Sequence, residues 1–169
     1  MLFRSNVLFS ENYWAEFQAM EAKTIYSDPT VYIFITSKMI NDDAPKSHEN
    51  WFVMINAPEN INQNWDELRF IAKASILNKI KKTLGLDIEK NIVFEEFLDP
   101  ERIEKRTGSF RGSLYGISSN NRMAAFNRHT NRSKNVKGLY FVGGSVHPGG
   151  GIPLCLASAK IVDSYFKPL

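Results

Sequence analysis

Five glycines fall within the nine residues from Gly143 to Gly151, interrupted by Ser145, His147 and Pro148. The aromatic and β-branched run Leu139 to Val142 precedes them and reads as a buried strand. Pro153 follows, and then Leu154 to Val162, an almost wholly apolar stretch that reads as a buried helix. A strand, a glycine-rich turn and a helix start form a layout that accepts a phosphate or another anionic group. Glycine lets a ligand approach the backbone, and the N–H groups of the first helical turn have no intrahelical acceptor. Pro153 suits that first turn, where a missing N–H is no loss. The small side chains of Ala157, Ser158 and Ala159 would let the helix pack closely. Neither Gly-x-x-x-x-Gly-Lys-Ser/Thr nor Gly-x-Gly-x-x-Gly is present. A glycine-rich loop with no ligand fits the same residues, so spacing alone establishes an anion-accepting turn.

Other reactive residues form no recognisable set. His129 and His147 lack Cys or carboxylate partners at metal-ligand spacing, so no metal is expected. Cys155 is the single cysteine and sits in an apolar run, so it is expected to be a small buried hydrophobe in a reducing compartment. No Ser-His-Asp or Cys-His arrangement stands out, and no catalytic acid or base can be named.

The elements upstream supply the scaffold. Asn6 to Phe9 reads as a strand, with Ser10 as the N-cap of a helix whose Tyr13, Trp14, Phe17 and Met20 form an apolar face. That face fits core packing, or else a wall for a greasy substrate. Val31 to Thr36 and Trp51 to Ile55 read as strands paired antiparallel across a polar loop. From Trp65 to Thr83 the period becomes helical, with Leu68, Ile71, Ala72, Ala74, Leu77, Ile80 and Leu84 inward and Lys73, Lys79, Lys81 and Lys82 in water. Asn64 or Asn62 would cap this helix and Gly85 would end it. Ile92 to Leu98 reads as a returning strand, and Asp99-Pro100 starts a short helix to about Thr107. The expected class is α+β, a mixed or antiparallel sheet covered by one long helix. Phe110 to Asn135 is rich in glycine, serine and asparagine, a loop long enough to be functional.

Composition narrows the field. The 169 residues hold 21 Lys and Arg against 18 Asp and Glu, a net charge of +3, with the basic residues scattered. Nucleic acid is therefore not expected as a partner. No apolar run of about 18 residues is present and no signal peptide is expected.

The block Leu139 to Pro153, Leu-Tyr-Phe-Val-Gly-Gly-Ser-Val-His-Pro-Gly-Gly-Gly-Ile-Pro, resembles the C-terminal flavin-binding signature of the bacterial phytoene desaturase family. Gly112-Ser-Leu-Tyr-Gly116, Ser118-Ser-Asn-Asn121 and Arg128-His-x-Asn-x-Ser133 resemble the segment that precedes it there. Phe9-Ser-x-x-Tyr13 and Ser27-Asp-Pro-Thr-Val-Tyr-Ile33 are similar to its substrate-domain region. The Gly143-Gly144-Ser145 form with Leu154-Cys155-Leu156 is most similar to the hydroxycarotenoid 3,4-desaturase branch.

The resemblance implies FAD as cofactor and a carotenoid or other polyisoprenoid as substrate, with oxygenase and isomerase outcomes open within the same family. It places Gly143, Gly144, Ser145, His147, Pro148, Gly149, Gly150, Gly151, Ile152 and Pro153 against the flavin. Tyr115, Phe126 and Arg128 become candidates for substrate contact. Residues 1–109 would be part of a substrate-binding domain. Residues 110–169 would be a linker loop plus the strand, turn and helix that complete an FAD-binding Rossmann-like domain. The family's N-terminal dinucleotide-binding half has no counterpart here, so the chain is expected to be the C-terminal third or so of such an enzyme and to bind FAD weakly or not at all alone. Peripheral contact with the inner membrane from the cytoplasmic side is implied as well. A non-catalytic hydrophobic-ligand or interaction module is the alternative.

Overall fold

The computed structural model describes residues 3–116 and 128–166, which divide between Pro100 and Glu101 into two compact units. In the first, β1 (Ser5–Leu8), β2 (Val31–Phe34) and β3 (Phe52–Met54) form an antiparallel sheet in the order β1-β2-β3. Ser5 pairs with Phe34, and Phe34 with Phe52. The alternation in β2 sends Val31 and Ile33 into the core, with Ile35 just beyond the strand, all fully buried. The Tyr32 and Phe34 rings stack on the other face, 6.4 Å between centroids. The antiparallel pairing expected of the strands near 31–36 and 51–55 is present as β2 and β3, and β1 pairs on the other side of β2. The ladder ends at Phe34 because Thr36–Lys38 turns into a 3-10 helix.

Two helices pack in this unit. The shorter, α1, spans Tyr13–Glu21, and the longer, α2, spans Trp65–Leu84. From α2, Ile80 joins Leu8, Val31, Ile33 and Ile35 in one cluster, and Trp65 and Leu68 meet Ile25 in a second. The Asn64 side chain accepts the Glu67 N–H at the helix start. Gly85 closes the other end at φ 68°, its N–H donating to Lys81 O at 3.0 Å. Asp66 and Glu67 in the first turn and Lys81 and Lys82 in the last complement the helix dipole. An antiparallel sheet with a long helix against it gives the mixed α and β fold expected.

Four local expectations fail. Asn12, not Ser10, caps α1, accepting the Ala15 N–H at 3.1 Å. Tyr13 and Trp14 lie on the outside of α1, and its buried residue is Glu16. That carboxylate is satisfied in the interior by the Thr30 N–H, the Thr30 hydroxyl (2.8 Å) and the Asn56 amide (3.1 Å). On α2, Lys79 is 5% exposed, not in water, because its ammonium meets Asp28 at 2.7 Å, whereas Ala74 is exposed. Residues 92–98 form no strand. Val93 and Phe94 are exposed, and the segment is tied to α2 by the Lys73–Glu95 pair at 2.7 Å and, just beyond, by Arg69–Asp99 at 2.6 Å. An apolar, β-branched run makes a strand only beside a partner ladder, and no described strand pairs with it.

The second unit contains α3 (Pro100–Thr107), a 3-10 turn at Phe110–Gly112, a looping segment from Arg128 to Gly151, and α4 (Ile152–Ser164). Leu139 to Val142 is not a strand. One antiparallel bridge, Arg132 to Tyr140, and one parallel bridge, His129 to Val146, are what the described residues form there. Nor is α4 buried. Ser158 is its buried residue, while Ile152, Leu154 and Leu156 are exposed. Among the described residues, no helix is long and apolar enough to cross a membrane.

Candidate functional site

The glycine turn is held from below by a buried polar tie. Ser158, on α4, is fully buried, and its Oγ accepts the Gly143 N–H at 3.1 Å and an N–H of Asn131 Nδ2 at 2.8 Å. Asn131, also buried, reaches Phe141 O with the same amide nitrogen at 3.1 Å. The Phe141 N–H returns to Asn131 O at 2.8 Å, and the His147 N–H donates to His129 O at 2.9 Å. The edge of His129 meets the Phe141 ring at 4.7 Å, and Tyr140 packs on Phe166 at 5.0 Å near the end of α4. These bonds replace a sheet ladder in fixing where the turn begins. Asn131 belongs to the Arg128-His-x-Asn-x-Ser133 pattern and Ser158 to the small-residue run of α4, but nothing in either announces their pairing, 27 residues apart in sequence and 2.8 Å apart in space.

Above this tie the backbone takes conformations that side chains avoid. Gly149 has φ 139° and Gly151 φ 97°, both favouring glycine. Gly151 is the N-cap of α4 and Pro153 lies in the first turn, as its chemistry predicts. The first bond onto the helix runs from the Cys155 N–H to Gly151 O at 2.9 Å. The N–H groups of Gly149, Gly150 and Gly151 donate to no acceptor among the described residues.

Beside the last two of these glycines is an open hollow of about 280 Å³, lined by Tyr115, Arg128, Gly150 and Gly151. The structure thus brings Tyr115 and Arg128 to the glycine turn from well before it in sequence. The Arg128 guanidinium donates to Tyr115 O at 3.0 Å and, more weakly, to Gly144 O at 3.4 Å. It also lies against Gly149, where an added Cβ would stand 3.2 Å from Arg128 Cζ. The Tyr115 ring presses on Gly150 so closely that a Cβ there would come within 2.1 Å of it. Gly116 is also tight, though less so, against Ser145, whose carbonyl oxygen would be 2.8 Å from a Cβ at Gly116.

The remaining candidates are placed as follows. Gly143 is tied to Ser158 and Gly144 accepts from Arg128. Ser145, His147, Ile152 and Pro153 are exposed, whereas Pro148 is half-buried. Phe126 lies outside the described residues. His129 and His147 do not line the hollow, and among the described residues no group of His, Cys, Asp and Glu could hold a metal ion. Cys155 is a half-buried free thiol. Chemically, the arrangement offers unpaired backbone donors, the positive end of a helix dipole and one guanidinium around a single hollow. That set suits an anionic or electron-rich group.

Comparison with known proteins supplies the chemical context. No family model matches the chain. The chain is 60% identical over 157 residues to the 1-hydroxycarotenoid 3,4-desaturase of a Flavobacterium species, a match covering 92% of this chain and 32% of that protein. It is 35% identical over 161 residues to the 4,4'-diaponeurosporene oxygenase of Staphylococcus aureus, covering 93% of this chain and again 32% of the relative. The chain therefore spans about a third of the length of the curated relatives it matches. The expected resemblance is borne out as a similarity: over nine-tenths of its length the chain resembles one stretch of a carotenoid desaturase and, less closely, of a carotenoid oxygenase.

Proposed function

We propose that this chain is the C-terminal part of an FAD-dependent carotenoid desaturase. The single observation that carries the reading is the juxtaposition of the Gly150 and Gly151 amides, which have no acceptor among the described residues, with a hollow at the start of α4, in a chain 60% identical to a desaturase. The residues fit part of a flavin dinucleotide. Backbone N–H groups and the α4 dipole favour its negative charge, and Gly151 has open space beside it where a side chain would stand. A hollow of about 280 Å³ lies at the lower limit for a ligand pocket, so it takes a portion of the cofactor. The family's dinucleotide-binding half, preceding this stretch in the longer protein, holds the rest.

FAD, when bound, supplies the two-electron acceptor for removing two hydrogens from the polyene. The contribution of these residues is electrostatic and positional. Gly149 to Gly151 and the helix start stabilise negative charge gained on reduction. Tyr115 and Arg128 form one wall of the same hollow. Greater identity to the desaturase than to the oxygenase favours desaturation over oxygenation. A carotenoid partitions into lipid, so the enzyme works in peripheral contact with the cytoplasmic face of the inner membrane. The 169-residue chain alone is inactive.

The test uses the longer protein, carrying its own dinucleotide-binding half, alongside this chain by itself. After gel filtration the longer protein should retain the visible flavin spectrum and lengthen the conjugation of a hydroxylated carotenoid in lipid vesicles. The short chain should retain neither property. A longer protein that stays colourless after incubation with FAD would refute the flavin reading, and flavin retained by the short chain would refute its dependence on the other half.

A further inference from the structure

We propose that Arg128 is a positioning residue that sets the shape of the glycine turn, and not a group that binds substrate. Resemblance offered Arg128 as a substrate contact, but its guanidinium is engaged otherwise. Its Nη1 donates to Tyr115 O at 3.0 Å and to Gly144 O at 3.4 Å, and the guanidinium lies against Gly149, where a Cβ would stand 3.2 Å from Cζ. One planar cation thus joins three points: the segment carrying Tyr115, the start of the glycine turn at Gly144 and its middle at Gly149. Both bonds leave the same nitrogen, Nη1, while Cζ and Nε extend the plane over the Gly149 backbone. A lysine ammonium has donors for the two carbonyl oxygens but no planar face to lay over Gly149.

The neighbours explain why the turn needs an external brace. Gly149 and Gly151 occupy conformations open to glycine, so the segment has little intrinsic preference for its folded shape. Their amides bond to no described residue, so they contribute no internal bonds to hold it. Below, Ser158 and Asn131 fix Gly143. Among the described residues, the ties onto Gly144 to Gly150 from outside the turn include Arg128 on Gly144 and Gly149, the His129 carbonyl on the His147 N–H, the Tyr115 ring against Gly150 and the Gly116 backbone against Ser145. Arg128 also holds the Tyr115 carbonyl, so it acts on two of these ties. The same residue therefore presets the direction of the Gly149 to Gly151 amides before any ligand arrives.

This inference rests on the flavin reading, and its test separates the two. Arg128→Lys, Arg128→Gln and Arg128→Ala are made in the longer holoprotein, and FAD affinity is measured by fluorescence quenching. Amide hydrogen exchange across residues 144–152 is followed in the flavin-free form. Lys and Gln should weaken FAD binding similarly, by about 10- to 100-fold, the range for losing hydrogen bonds from a charged donor. Exchange at the His147 amide, bonded to His129 O, should accelerate in the flavin-free variants while the melting temperature stays within a few degrees of the parent. Free guanidinium at millimolar levels, well below denaturing concentrations, should restore FAD binding to Arg128→Ala. Parent-like FAD affinity in Arg128→Lys would overturn positioning in favour of simple charge. Unchanged affinity in all three variants, with a raised KM for carotenoid, would return Arg128 to the substrate. A parent protein that binds no FAD defeats the flavin reading instead, and the exchange data on the flavin-free form still decide whether Arg128 braces the turn.

Discussion

Ser158→Ala isolates the buried tie beneath the glycine turn. The substitution removes one oxygen from a fully buried site and leaves helix propensity slightly improved, so packing and α4 itself should barely respond. What changes is that the Gly143 N–H, now 3.1 Å from its acceptor, and one N–H of Asn131, at 2.8 Å, lose their partner. A buried donor without an acceptor costs about 1–3 kcal/mol. Asn131 retains its bond to Phe141 O, so two orphaned donors together should cost about 2–4 kcal/mol of local stability. Native-state hydrogen exchange reads this at the residue concerned. The Gly143 amide should exchange roughly 30- to 1000-fold faster, at about 1.4 kcal/mol per factor of ten. Amides of β2 in the other unit should be unaffected. If Gly143 exchanged at the parent rate in Ser158→Ala, the tie would not exist as described and the turn would be held some other way.

Gly150→Ala should expel the Tyr115 ring, since the new Cβ would stand 2.1 Å from it, and the double variant Gly150→Ala with Tyr115→Ala should recover much of the lost melting temperature. A double variant no more stable than the single one would contradict that contact. Acid stability should depend on Asp28. Burial pushes its carboxyl up, but the Glu11 N–H, the hydrogen bond and charge of Lys79 and the charge of Lys82 outweigh this and hold it below the usual range. A folded-state value below the unfolded one, about 3.9, means the stabilisation is complete above that pH and is lost as pH falls through the folded value. Asp28→Asn should therefore flatten the acid limb of the urea midpoint between about pH 5 and pH 2, and lower the midpoint at neutral pH by stranding the buried Lys79. An acid limb identical to the parent's would exclude the pair as its source.

Periodicity and local capping chemistry made α2 readable from end to end. Asn64, Gly85 and the inward Leu68 and Ile80 are all decided within one or two turns of chain. The two central strands and the proline-started α4 were legible for the same reason. The failures share a cause. Glu16 is buried because Thr30 and Asn56 supply its hydrogen bonds, and Lys79 because Asp28, 51 residues away, supplies its counter-charge. Side chains that alone belong in water were brought inside by partners no local pattern specifies. Leu139 to Val142 and residues 92–98 have strand composition without a described ladder to join, and composition cannot report whether a neighbour is present. At the site, the glycines announced themselves. The Tyr115 ring on Gly150, the Arg128 brace and the Asn131–Ser158 pair did not, because each depends on the chain returning to the turn from a distance.

The assignment of the Gly149 to Gly151 amides to the cofactor can be measured directly. Hydrogen exchange of the peptide spanning residues 149–152 is compared in the longer protein with and without FAD, using proline-free neighbouring peptides as internal references. Marked slowing at these amides on loading, with residues 31–34 of the buried sheet unchanged, is the expected result. Equal exchange in the two forms, while FAD is demonstrably bound, would contradict it and move the cofactor elsewhere.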